Sequence, residues 1–166
     1  MPGEYRVSRE ITAQELIAVI LNNFETKVTP ELQERYTSLG LDLNEAVTLA
    51  SLVQREAVVV REQPIIASVF YNRLQAGMKL DSDPTAQYAL GYQRDTQTWW
   101  KMPLYTGDLQ VDSPYNTYQN IGLPPGAICN PSLSALEAVA YPADTPYYYF
   151  RAKCDQSGEH NFSVTF

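Results

Sequence analysis

One histidine, His160, and two cysteines, Cys129 and Cys154, in 166 residues are too few and too scattered for a zinc site of the usual Cys/His kind. The chain has no Asp-x-Asp-x-Asp-Gly calcium loop and no glycine-rich phosphate cradle, so neither a metal nor a cofactor is expected. A Gly-x-Ser-x-Gly elbow is missing too, which leaves His160 without a serine partner for a triad. No run approaches the roughly 18 consecutive apolar residues of a membrane span, and no signal-peptide core is seen. Basic residues are also scarce: 12 Lys and Arg against 19 Asp and Glu give a net charge of −7, the wrong sign for gripping phosphate backbones. No nucleic-acid partner is expected.

The rest of the composition is that of an ordinary globule, 45% hydrophobic and 19% charged. Its length suits a single domain over residues 1–166, able to bury about 70% of its unfolded surface without disulfide or metal. The two cysteines are therefore free to pair or not. The 12 tyrosines are a surplus. Tyrosine pairs an apolar ring with a polar tip, which suits a sugar-binding groove better than a dry core.

Thr12-x-x-Glu15 is a capping box opening a helix to about Phe24, with Leu16, Ile17, Ile20, Leu21 and Phe24 on one face. Thr29-Pro30 starts a second helix that Gly40 ends, and Asp42-x-x-Glu45 caps a third running to about Val58. Helices from Pro64 to Gly77, from Asp83-Pro84 to Gly91, and from Asn130-Pro131 to Tyr141-Pro142 follow, with loop from Gln93 to Pro125. Tyr147–Ala152 and Asn161–Phe166 read as strands of a hairpin turning at Asp155-Gln156-Ser157-Gly158. Leading helices and trailing strands predict an α+β fold. The opening at Met1-Pro2-Gly3 and the stop at Phe166 read as those of an excised piece.

On the third helix Leu49, Leu52, Val53 and Glu56 follow at spacings of three and four, which puts Glu56 on the apolar face. Desolvation there would raise its pKa, as a general acid near neutral pH requires. The structural alternative is a carboxylate at a frayed helix end that snorkels to water or pairs with Arg61. Asp83 could be catalytic or simply the N-cap of the helix opened by Pro84. Arg73, beside Asn72 on a mostly apolar helix, could pair with an acidic neighbour. Tyr115-Asn116-Thr117-Tyr118 precedes the stiff loop Gly122-Leu123-Pro124-Pro125-Gly126, either a ligand platform or an ordinary turn. His160 fits best as a side chain at the start of a strand bonding a neighbouring loop. Carboxylate acid–base chemistry among aromatics and amides points to glycosides.

Leu49-Ala50-Ser51-Leu52-Val53-Gln54-Arg55-Glu56-Ala57 resembles the helix motif of the YceG-like endolytic murein transglycosylases. Ala67–Leu74, Gly77–Leu80 and Ser82-Asp83-Pro84-Thr85 are similar to the family's next block. Tyr115–Tyr118, Gly122–Ile128, Asn130-Pro131, Tyr149-Phe150 and His160-Asn161-Phe162 continue the likeness. It is strong over residues 43–166 and weak over the first forty, a helical lead-in. The resemblance implies a lytic transglycosylase of cell-wall biogenesis that cuts β-1,4 bonds between N-acetylmuramic acid and N-acetylglucosamine within peptidoglycan strands, leaving 1,6-anhydro ends. Its catalytic glutamate falls on Glu56. Substrate positioning, or holding of the glutamate, falls to Asn72, Arg73, Asp83, Tyr115, Asn116 and Tyr118. The family also implies an anchor helix and a LysM-like domain upstream, attachment to the outer face of the cytoplasmic membrane, and the wall-synthesis machinery as partner. Arg151, Lys153 and Cys154 depart from the small or acidic residues expected after the Tyr-Phe strand. Two rivals stay open: a hydrolytic muramidase using Asp83 or Glu62 as second carboxylate, and a non-catalytic glycan-binding module.

Overall fold

The two capping boxes form as the sequence predicts. In the computed structural model, which describes residues 1–166, Thr12 and Glu15 bond each other's backbone N–H at the start of α1 (Ala13–Lys27). Asp42 and Glu45 do the same for α3 (Leu43–Glu56). Between them lies α2 (Pro30–Ser38), capped by Thr29 and released through Gly40 at φ 82°, a left-handed value that glycine adopts without strain. A 3-10 turn, Val60–Glu62, leads into α4 (Gln63–Gln75). Then come α5 (Asp83–Leu90), the long loop, α6 (Leu133–Ala140) and the antiparallel pair β1 (Tyr149–Ala152) and β2 (His160–Ser163). The class is α+β.

Helix α3 is the axis of the molecule and touches α2, α4, α5 and α6. Its Ala46, Leu49, Ala50, Leu52 and Val53 are fully buried with Ile66, Phe70, Leu136 and Val139 in one core. Ser51, also buried, accepts from Ile128 N–H at 3.0 Å, and Gln54 Oε1 accepts from Ser132 N–H at 2.9 Å. These bonds hold the returning chain against α3. The Arg55 guanidinium lies 3.8 Å from the Trp100 ring centre and pins the long loop from the other side. The cysteines are both free.

Several boundaries differ from the sequence reading. Helix α3 stops at Glu56 rather than Val58, α1 runs on to Lys27, α6 starts only after Ser132 caps it, and both strands are shorter than expected. The apolar face of α1 is not a core face: Leu16, Ile17, Ile20 and Leu21 are exposed, and only Phe24 packs on the core. Periodicity reveals an apolar stripe but not whether the rest of the chain reaches it.

The hairpin is fastened to α4 by polar groups. Asn72 Nδ2 donates to the Thr145 and Tyr147 carbonyls, both at 2.8 Å. Glu62 accepts from His160 N–H at 3.1 Å and meets its Nδ1 at 2.7 Å. The turn itself sits against Val58. A Cβ on Gly158, at φ 73°, would lie 2.7 Å from Val58 Cγ1. Gly158→Ala is therefore expected to cost about 1–3 kcal/mol from overlap and left-handed strain together. Thermal melts of Gly158→Ala and of Gly158→Ala with Val58→Ala separate the two causes, since the second change removes only the overlap.

Candidate active site

Glu56 ends α3 at the bottom of an open cavity of about 320 Å³. Three sides of the cavity come from separate stretches of chain: Arg73 of α4, Leu80, Asp81 and Asp83 before and at α5, and Phe150–Ala152 of β1, with Tyr118 and His160 completing the rim. Leu52 and Val53, one turn back on the same helix, are fully buried. Glu56 itself is half-buried and borders the cavity. Desolvation pushes the Glu56 pKa up to about 7, helped by the nearby Asp83 charge and opposed by a hydrogen bond from Ser82 and by Arg55 and Arg73.

Ser82 is the N-cap of α5, so Asp83 is not the cap but the first helical residue. The Ser82 hydroxyl does not cap its helix. It turns outward and donates to Glu56 Oε1 at 2.6 Å. The Ser82 N–H, in turn, is held by Thr117 Oγ1 at 3.0 Å, and Thr117 bonds Thr85. This buried chain of hydroxyls aims a donor at the carboxyl. Because that bond favours the anion, Ser82→Ala is expected to move the Glu56 titration to higher pH, read by side-chain carboxyl NMR.

Asp83 is freed for other contacts. Its Oδ1 accepts from the Tyr118 hydroxyl at 2.7 Å. Burial first, and that bond second, push the Tyr118 phenol well above its usual range, so it stays a donor. Lys79 Nζ donates to the Tyr118 carbonyl at 2.8 Å and steadies the ring's base. Asp81 adopts φ 49°, uncommon for a residue with a side chain, and accepts from Arg73 Nη1 at 3.2 Å.

Arg73 is 8% exposed and pairs with the acidic neighbour foreseen for it, but its main bonds go to backbone. It donates to the carbonyls of Tyr148 at 2.6 Å, Lys79 at 3.1 Å and Leu80 at 2.9 Å. One planar fork thus joins α4, the approach to α5 and the hairpin around the cavity.

The remaining candidates are not brought to Glu56. Asn72 faces the hairpin approach, as described. Asn116 is fully buried, and its amide donates to the Leu109 and Val111 carbonyls at 3.0 and 2.8 Å. Tyr115 packs on Tyr88, ring centres 4.8 Å apart, with its hydroxyl toward Gly126. The segment 115–118 contributes Tyr118 alone to the rim, and the Gly122–Gly126 loop contributes nothing. Arg61, the foreseen partner of Glu56, instead pairs with Glu159. Glu62 is engaged by His160, so of the two suggested second carboxylates only Asp83 lines the cavity. Sequence reasoning missed Ser82, Asp81 and Thr117. Ser82 stood beside the chosen Asp83 in the motif, and nothing local shows which of two polar neighbours turns to a glutamate 26 residues away.

The arrangement offers a carboxyl poised near neutrality, a hydroxyl that orients it and an open groove with a phenol and a carboxylate on its wall. It can deliver a proton and take one back. The model of the YceG-like family matches residues 1–166. An endolytic murein transglycosylase of Bacillus subtilis (strain 168) is 45% identical over 125 residues, 75% of this chain and 32% of its own length. One from Streptococcus pneumoniae serotype 2 is 34% identical over 151 residues, 91% of this chain and 27% of its own. A crystal structure of a yceG-like protein from Listeria monocytogenes superposes with a TM-score of 0.83 at 36% identity, covering 99% of this chain and 51% of that one. The chain spans about a third of the length of the curated relatives it matches.

Proposed function

The chain belongs to the YceG-like family, and from that premise we propose that it is the catalytic part of an endolytic murein transglycosylase, with Glu56 as its one acid–base group. The observation that carries the reading is the glutamate at the end of α3, half-buried, its pKa pushed up to about 7, bordering an open cavity of about 320 Å³. The names of the relatives supply the substrate class, peptidoglycan strands.

Neutral Glu56 donates its proton to the glycosidic oxygen as the bond from that oxygen to C1 of the muramic sugar breaks. The sugar's own 2-acetamido group steadies the electron-poor C1, so no protein nucleophile is required. The C6 hydroxyl oxygen of the same sugar then bonds to C1 and returns its proton to the Glu56 anion. No water is consumed, and the enzyme ends as it began. Ser82 keeps the carboxyl oriented throughout. The Tyr118–Asp83 pair and Arg73 form the wall against which the strand is held. No helix is long and apolar enough to cross a membrane; an upstream anchor, a place on the outer face of the membrane and contact with the wall-synthesis machinery belong to this proposal for the whole protein.

One observation favours a second route. Asp83 lies in the same cavity with its carboxylate fixed by Tyr118, where it could activate water and make the cut hydrolytic. The lytic reading is preferred because one carboxyl suffices for it. Incubation with soluble uncrosslinked glycan strands tests the proposal: internal cutting lowers the mean strand length before disaccharides accumulate. Disaccharides appearing first, or unchanged strands, would defeat it.

A further inference from the structure

The hairpin has two faces set by its register. Phe150 pairs with Phe162 and Ala152 with His160, and this set faces inward, with Phe150 edge-on to Phe70 at 5.9 Å. The alternate pairs, Tyr149 with Ser163 and Arg151 with Asn161, therefore share the opposite face. All four line a second cavity of about 650 Å³. That cavity is continuous with the Glu56 groove, because Arg73, Asp81, Tyr118, Phe150 and Arg151 border both.

Two features say what this face would take. The Tyr149 ring is already engaged, with the Arg73 guanidinium 4.9 Å from its centre and Phe166 against it at 5.8 Å, so it offers little open ring to a sugar. The groups left over are a guanidinium, an amide and a hydroxyl. Arg151 is exposed, takes part in none of the salt bridges of the chain, and stands at the junction of the two cavities. Asp81 borders both cavities but is paired with Arg73, whereas Asp83 lines only the Glu56 groove, so the unpaired Arg151 makes the hairpin side the less acidic of the two in a chain of net charge −7. A carboxylate is repelled from the acid side and drawn to the hairpin side.

We propose that the outer face of the hairpin is a subsite for the carboxylate-bearing peptide carried on the muramic sugar, with Arg151 as its specificity-determining residue. This rests on the murein reading of the Glu56 groove. The peptide hangs from the sugar ring by a lactyl ether, so a strand lying in one cavity would present it to the adjoining one.

The test uses binding, so that it stands apart from turnover. Soluble glycan strands with intact peptides, and the same strands with the peptide carboxylates converted to amides by carbodiimide and ammonia, are titrated into the Glu56→Gln protein by calorimetry. Strands with free peptide carboxylates are expected to bind roughly tenfold more tightly, the worth of one charge-assisted bond. Adding Arg151→Glu should bring the two affinities together, while Arg151→Lys keeps most of the preference. Equal affinity for both strands, no binding to either, or a preference untouched by Arg151→Glu overturns the subsite. If wild-type protein cuts neither strand yet the preference follows Arg151, the lytic reading fails and the peptide subsite stands.

Discussion

Glu56→Gln is expected to lower strand cleavage by at least about 10²–10⁴-fold, the usual worth of general acid–base catalysis, while the protein stays folded. The amide fills nearly the same space and can still accept from Ser82, but it can neither give up a proton to the glycosidic oxygen nor take one from the C6 hydroxyl. The same substitution has a stability signature of known sign. Burial raises the Glu56 pKa from its ordinary 4.5 to about 7 in the folded protein, so between these values the folded state holds the proton more tightly than the unfolded chain. Stability of the wild type must then fall as pH rises through that window, by at most about 3–4 kcal/mol at about 1.4 kcal/mol per unit. Glu56→Gln removes the dependence and should be the more stable protein above pH 7, with the advantage gone below pH 4.5. Urea unfolding of both proteins across that range checks it. Wild-type activity should likewise decline as pH rises through about 7, as the acid loses its proton.

Arg73→Met is expected to produce the largest loss of stability among single changes at the groove, about 3–5 kcal/mol, the range for breaking a buried charged network by removing one partner. Three carbonyls and the Asp81 carboxylate lose their donor together, and Tyr149 loses the cation over its ring. Methionine fills the apolar part of the space but satisfies none of those acceptors. Against a typical total of 5–15 kcal/mol, such a loss shows as a large drop in the urea midpoint. Arg73→Lys should recover only part of it, since an ammonium cannot reach acceptors on three segments as the flat fork does. Loss of stability with Arg73→Met no greater than with a surface change would mean that the hairpin is held by Asn72 and the Glu62–His160 contact alone.

The features legible in the sequence were those encoded within one helical turn or one chain reversal. The Thr12/Glu15 and Asp42/Glu45 boxes, the glycine stops at 40, 77 and 91, and the 155–158 turn all act between near neighbours, and all formed. Glu56 was legible for the same reason: the three-and-four spacing from Leu49 places a carboxyl on a buried stripe. What surrounds Glu56 is encoded at long range. Ser82 reaches it across 26 residues, and Arg73, on the cavity wall, reaches the Tyr148 carbonyl beside the hairpin across 75. Polar side chains at such separations carry no periodic mark, so Asn72 and Asn116 looked like ligand contacts although both bond backbone carbonyls. The α1 stripe shows the converse limit, an amphipathic pattern whose apolar side remains exposed.

The central claim is that Glu56 alone moves the proton and that the sugar's own C6 oxygen closes on C1. Mass spectrometry of the new strand ends, after digestion of peptidoglycan by the wild type and by Glu56→Gln, tests this most directly. Anhydro ends that appear with wild type and vanish with Glu56→Gln are the predicted result; reducing ends, heavier by one water, would contradict it and give the second step to Asp83 and a solvent molecule.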